Sequence, residues 1–205
     1  MKAFPLDHSA IVENLRCKRL FLEKSGVRCI VMPCHISHSW HNEVSKGCSV
    51  PFLHMGECVA MELKEAKLKP LEAGSTPANW VVSHQCNFDC RVLSGETTEP
   101  CKQLSGTPDL EPGFEVVLPD KATMEHAVIP AIEAVNRKDM EGAQNLLRIA
   151  LQVLLVRAVN TVILASDDMH NVLPQDDPLL KKCIDPMDAL ARSAIKWVQT
   201  AGKGT

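Results

Sequence analysis

The sequence predicts an α/β fold built on parallel sheets. Three observations carry that expectation. Short β-rich apolar runs alternate with longer stretches of helical periodicity. The alternation occurs twice, once in each half of the chain. Two of the apolar runs, VRCIVM and TVILA, stop abruptly at small or polar residues. A parallel strand is covered on both faces, so it reads as a continuous apolar run rather than an alternating one. Parallel neighbours also need a crossover between them, usually a helix, which is why the two periodicities interleave.

The first half opens on residues 8–25, where Ile11, Leu15, Leu20 and Leu22 recur among charges and Gly26 stands where a helix C-terminal cap belongs. Val27 to Met32 is short, β-rich and apolar and predicts a buried strand. Residues 38–46 predict a short helix, Val50 to His54 a second strand, and Met55 to Lys67 a helix with Glu62 and Lys64 to Lys67 on a solvated face. The second half repeats the order. Phe114 to Leu118 predicts a strand. Thr123 to Asn136 and Asp139 to Ala158 predict helices, the second with an apolar stripe of Leu146, Leu147, Ala150, Leu151, Leu154 and Leu155. Thr161 to Ala165 predicts a buried strand ending in Ser166-Asp167-Asp168, and Cys183-Ile184 a short one. Asp185 then offers an N-cap, with Pro186 at the first helical position. Residues 75–112 show no α/β pattern.

Composition excludes several classes of function. A net charge of -3 gives no electrostatic case for nucleic acid or an anionic membrane surface. The chain has no tyrosine and 4% aromatic residues, which leaves little to stack on bases. No apolar run approaches the ~20 residues of a bilayer span, and the N-terminus lacks the uninterrupted apolar core of a secretory signal. Nine cysteines, an odd number without a framework spacing, indicate a reducing compartment. The expected location is cytoplasmic, or the chloroplast should a targeting segment precede this chain.

The densest chemistry follows the first strand, in VMPCHISHSWH, residues 31–41. Cys34 at a strand's end is a candidate acid/base or nucleophile, against the plainer reading of a buried inert thiol. His35, His38 and His41 recur every third residue and raise the question of zinc with Cys34. Four ligands on consecutive turns without a second cluster are not a usual closed site, so no metal is expected. Cys86, Cys90, Cys101 and His84 imitate a metal cluster but lack a CxxC pair. Asp167 and Asp168 read as solvated loop carboxylates or a base pair, and the remaining cysteines as filler.

Taken in order, Met32-Pro33-Cys34-His35-Ile36-Ser37-His38, Val50-Pro51-Phe52-Leu53-His54 and Ile184-Asp185-Pro186 resemble the aspartate/glutamate racemase family, over residues 1 to about 73 and about 113 to 200. The resemblance implies two similar parallel-sheet (Rossmann-like) domains facing a cleft, each incomplete in this chain. Residues 1–73 would be the remainder of the first domain, 74–183 the second with an anomalous segment at 75–112, and 184–205 a C-terminal helix returning to the first. It implies a cofactor-independent isomerase acting on a small dicarboxylic amino acid such as aspartate or glutamate, with a homodimer left open. Two thiols would work on opposite faces of the α-carbon, one removing the proton and the other returning one. Cysteine suits both tasks because its ordinary pKa, about 8.5, lies near neutrality.

Three departures qualify what is carried over. The family's opening strand and turn have no match at the N-terminus. Residues 75–112 depart from the pattern. Read one base out of frame, from Asn79 onward they permit Ile-Gly-x-Leu-Ala-Thr-Asn-Ala-Ile-Leu-Thr-Ala-Gly-Phe, which resembles the opening of the family's second domain, with Gly113-Phe114 as the return to frame. Where the family carries its second cysteine, this chain has Ser166. The resemblance therefore gives Cys34 and Ser166 as the catalytic positions, His35, Ile36 and Asp167 as substrate-binding positions, and His38 as a supporting residue. The alternatives are a one-thiol lyase or isomerase using Cys34, and a truncated, mis-spliced or pseudoenzyme product without catalysis.

Overall fold

The computed structural model describes residues 8–66, 78–82, 115–157 and 159–201. Within these residues the chain forms a four-stranded, wholly parallel sheet. Its strands are β1 (Ala78–Val82), β2 (Glu115–Val117), β3 (Val159–Leu164) and β4 (Cys183–Ile184), in the order β2-β1-β3-β4. In the first half lie α1 (His8–Lys24), a 3-10 turn (Ile36–Trp40), α2 (His41–Ser45) and α3 (Met55–Glu65). The second half holds α4 (Lys121–Thr123), a π-turn (Met124–Val128), α5 (Ile129–Asn136), α6 (Met140–Val156) and α7 (Pro186–Ala201).

The helix ends follow the sequence closely. Gly26 takes φ +78° and closes α1 through Val27 N–H to Leu22 O and Gly26 N–H to Glu23 O. Asp139 caps α6 by accepting from Gly142 N–H at 2.9 Å, and Asp185 caps α7 by accepting from Met187 N–H at 2.8 Å. The helix expected over Thr123 to Asn136 is instead α4, a π-turn and α5, because one wider turn intervenes before Pro130 resumes the helix as its second residue.

β3 is buried on both faces. Val162 and Leu164 belong to a core with Leu147, Leu151 and Leu154 of α6 and Ala131 and Ile132 of α5. Ile163 and Ala165 point the other way, into a second core with Met55, Cys58, Val59 and Leu63 of α3 and Ala189 and Leu190 of α7. The sheet thus joins the second half to α3, and α7 packs against the same helix. Arg192 forks onto Glu62 at 2.5 and 2.9 Å, and Lys196 reaches Glu65 at 2.6 and 2.8 Å. Glu62, expected on a solvated face, is therefore covered by α7, and its side chain is only 18% exposed.

Two expectations are corrected. Residues 75–112 contain β1, which pairs with β3 from Asn79↔Thr161 to Val82↔Leu164 and occupies the middle of the sheet. The run ANWVV is rich in β-formers but too short to stand out from its polar surroundings. The out-of-frame reading beyond Val82 and the cluster of His84, Cys86, Cys90 and Cys101 lie outside the described residues. In the first half, Val27 to Met32 and Val50 to His54 do not become full strands. They meet in a single parallel bridge, Ile30↔Phe52, with Ile30 N–H donating to Pro51 O at 2.8 Å and Leu53 N–H to Ile30 O at 3.0 Å. Pro51 has no N–H to extend the ladder.

Around that bridge Val12, Ile30, Met32, Val44 and Phe52 form a third core, and three imidazoles lie alongside it. His38, His41 and His54 are 3%, 5% and 3% exposed. The His38 and His41 rings stack with centroids 5.5 Å apart, and His54 meets them edge-on at 5.2 and 4.6 Å. His54 Nδ1 accepts from Gly56 N–H and caps α3, so this ring is held as a neutral acceptor. Burial first, and then the neighbouring rings, push His38 and His54 down to about 3.

Ile163→Ala should cost about 2–5 kcal/mol, because it empties a fully buried position in the core that joins the sheet to α3 and α7. Urea unfolding checks it. The histidines add a pH dependence. Their folded pKa values lie below the unfolded 6.5, so their full contribution is present above pH 6.5 and drains away as pH falls toward 3. That is on the order of 3 kcal/mol per ring between pH 7 and 4. His170, raised by its hydrogen bond to Asp185, works in the opposite sense but is part-exposed and contributes less. Urea midpoints should therefore fall steeply from pH 6.5 to 4.5. His54→Asn, which keeps a capping acceptor but cannot titrate, should flatten the slope.

Candidate active site

In an open parallel sheet the crevice lies beyond the carboxyl ends of the strands where successive connections run to opposite sides. Here β1 is flanked by β2 on one side and β3 on the other, with Val82 and Leu164 in register at their ends. The residue after Ala165 is Ser166, so the serine stands at that crevice. Cys34 lies in the first half, two residues after Met32 of the third core.

One contact joins the two loops. His35 Nδ1 donates to Asp167 Oδ1 at 2.5 Å, across 132 residues of sequence. The imidazole is buried, 6% exposed in its side chain, while the carboxylate is half-exposed at 50%. His35 Nε2 is buried without a hydrogen-bond partner among the described residues. Because His35 follows Cys34 and Asp167 follows Ser166, each candidate catalytic position is the chain neighbour of one partner in this contact.

Cys34 is partly exposed, and Ser37 Oγ donates to its Sγ at 3.2 Å. That donor lies three residues on, at the start of the 3-10 turn (Ile36–Trp40), and was legible only as part of the motif's spacing. A hydroxyl aimed at sulfur is the contact that a developing thiolate takes up. The other thiols have different surroundings. Burial raises Cys29, Cys48 and Cys58 and pushes Cys183 up to about 12, which keeps them protonated.

The remaining positions separate. Ile36 is 40% exposed beside Cys34. His38 turns inward, its Nε2 donating to Met32 O at 2.8 Å, so it braces the backbone just before Cys34. His41 lies deeper, against Phe52 and His54. Since His35 faces Asp167 while His38 and His41 face the third core, the three histidines do not converge on one point. Among the described residues no group of three or more His, Cys, Asp or Glu side chains is arranged to hold a metal ion, and no helix is long and apolar enough to cross a membrane. Asp168 is exposed. A separate pair that the sequence did not signal, His170 Nδ1 to Asp185 Oδ2 at 2.7 Å, fastens the loop after Ser166 to the start of α7.

No family model matches the chain. Over 95 residues it is 32% identical to the broad specificity amino-acid racemase RacX of Bacillus subtilis, a stretch that is 46% of this chain and 40% of that protein. The chain thus matches less than half the length of this curated relative. Among solved structures, an aspartate racemase homologue of Pyrococcus horikoshii superposes with a TM-score of 0.66 at 17% identity, covering 95% of this chain and 77% of the other. The aspartate racemase of Picrophilus torridus gives a TM-score of 0.55 at 22% identity, covering 90% and 68%. At these identities the structures speak for the fold, and the racemase stretch adds the relation in sequence. The chain is thus similar in sequence, over 95 residues, to an amino-acid racemase, and it shares its fold with aspartate racemases and their homologues.

Proposed function

We propose that the chain is an amino-acid isomerase-type protein that handles the α-proton of aspartate, glutamate or a related small dicarboxylate without a cofactor, and that its racemisation is impaired. The observation that carries this reading is the junction itself. Cys34, with a hydroxyl donor on its sulfur, is held across from the Ser166 loop by the His35–Asp167 contact. A thiol on one side and an opposed group on the other is the arrangement that two-sided proton transfer at carbon needs.

The chemistry is unequal between the two sides. As thiolate, Cys34 takes the α-proton from one face. Returning a proton to the opposite face calls for a positioned acid that also gives up its proton near neutral pH. Ser166, a hydroxyl, is a far weaker acid than a thiol and does this poorly. Loss of one positioned acid/base costs ~100- to 10,000-fold. Return of a proton from Cys34 itself restores the starting enantiomer, so exchange with solvent outruns inversion. The same asymmetry favours, as second reading, a one-thiol isomerase or lyase that uses Cys34 alone.

Incubated in deuterated water with aspartate or glutamate, the full chain should incorporate deuterium at the α-carbon faster than optical rotation decays. Ser166→Cys should raise racemisation toward the rate of exchange, by ~100-fold or more. Cys34→Ala should abolish exchange. Racemisation that survives Cys34→Ala would place the chemistry elsewhere.

A further inference from the structure

His35 and Asp167 occupy positions where, on the proposed reading, the substrate's carboxylate is to be held. In this chain they hold each other. The geometry is lopsided in an informative way. The imidazole is buried, and its Nδ1–H is spent on a carboxylate whose own side chain is half open to solvent. Its other nitrogen, Nε2, is buried and has no hydrogen-bond partner among the described residues. A carboxylate needs little from the protein at this place, since water would solvate it well at 50% exposure. The buried ring needs the carboxylate far more, because its N–H has no water to turn to.

We infer that Asp167 is an internal stand-in for a ligand carboxylate. It plugs an anion-accepting site whose donor is His35 Nδ1–H, and a dicarboxylate enters by displacing it. This rests on the proposed function for the class of ligand, but not for the chemistry that follows binding. Two further features fit. The ligand group and the plug have the same chemistry, so the exchange leaves the ring's hydrogen bond intact. The plug opens a short 3-10 turn, Asp167–Met169, with its side chain half-exposed, so its carboxylate can turn toward water once a ligand carboxylate takes over the His35 bond. His35 sits directly after Cys34, so a carboxylate accepted there is held beside the thiol.

Apparent affinity for a ligand falls by the fraction of molecules in which its site is open. A plug in place nine times in ten therefore weakens binding roughly tenfold. The probe is succinate, a dicarboxylate without an α-amino group, titrated against the full chain by calorimetry. Asp167→Ala and the near-isosteric Asp167→Asn should each bind succinate roughly tenfold more tightly than the parent. His35→Phe, which has no donor, introduced into the Asp167→Ala chain should lose that gain, and the His35 ring resonances of Asp167→Ala should shift on succinate addition. Unchanged or weaker binding by both Asp167 variants, or no binding by any chain, would overturn the plug. So would a gain that persists with His35→Phe, since the anion would then lie elsewhere. The two proposals fail separately. Tighter succinate binding with no α-proton exchange leaves the plug and removes the racemase-type chemistry. Exchange with no gain on opening Asp167 removes the plug alone.

Discussion

The structure depends on one strand being wanted on both faces. β3 presents Val162 and Leu164 to α5 and α6, and Ile163 and Ala165 to α3 and α7. Burying a side chain of this size fully is worth about 1.5–3 kcal/mol, and here successive residues draw that stabilisation from opposite directions. A strand so held cannot slip by one residue, because the shift would exchange its two faces and strand each set against the wrong partners. Its end is therefore fixed in space, and so is Ser166. The same strand fastens α3, which continues from the segment carrying Phe52 and His54. The geometry of the site on both sides is inherited from β3.

The first half is built differently. Its two apolar segments share one bridge rather than a ladder, and Pro51 forecloses a longer one. Order there comes from side chains packed around the bridge and from buried imidazoles, with His38 bonded to the backbone just ahead of Cys34 and His54 capping α3. Rings kept neutral by burial can serve as packing units with one directed hydrogen bond each, which aliphatic side chains cannot do. The cost is that neutrality has to be maintained, so in this half the acid sensitivity comes from buried rings, whereas in the sheet half it comes from carboxylates such as Asp120 and Asp177 that hydrogen bonds hold low.

Much of this was legible in the sequence, and what was not has identifiable physical causes. The apolar stripe of α6, the caps at Gly26, Asp139 and Asp185, and the ends of VILA and VM are local signals. Each depends on residues within a turn or two. β1 was missed because five residues of β-rich sequence carry no periodicity of their own and owe their place to β3 and β2. The histidine spacing at 35, 38 and 41 suggested a common helical face. The fold instead turns His35 outward to Asp167 and the other two inward, because the 3-10 turn (Ile36–Trp40) intervenes before α2. The Asp167 contact spans 132 residues, and no local pattern announces a pairing at that separation. The positions were readable, but their partners were not.

The adjacency of the paired residues to the reactive ones has a mechanical consequence. Cys34 and His35 share one turn of backbone, as do Ser166 and Asp167. The Ser166 side is rigid, since Ala165 just before it is packed in the core of α3 and α7 and the loop after it is tied down by His170 to Asp185. On the other side, His38 bonded to Met32 O fixes the base of the Cys34 turn but leaves Cys34 and Ile36 partly exposed. The exposed parts of the junction are thus the Cys34 turn and the Asp167 side chain. Parting His35 from Asp167 by backbone movement would carry Cys34 away from Ser166 and dissolve the alignment. Parting them by rotating Asp167 alone preserves it. On the proposed reading, a ligand that replaces the carboxylate like for like takes the second route, and the backbone on both sides of the contact stays where it is.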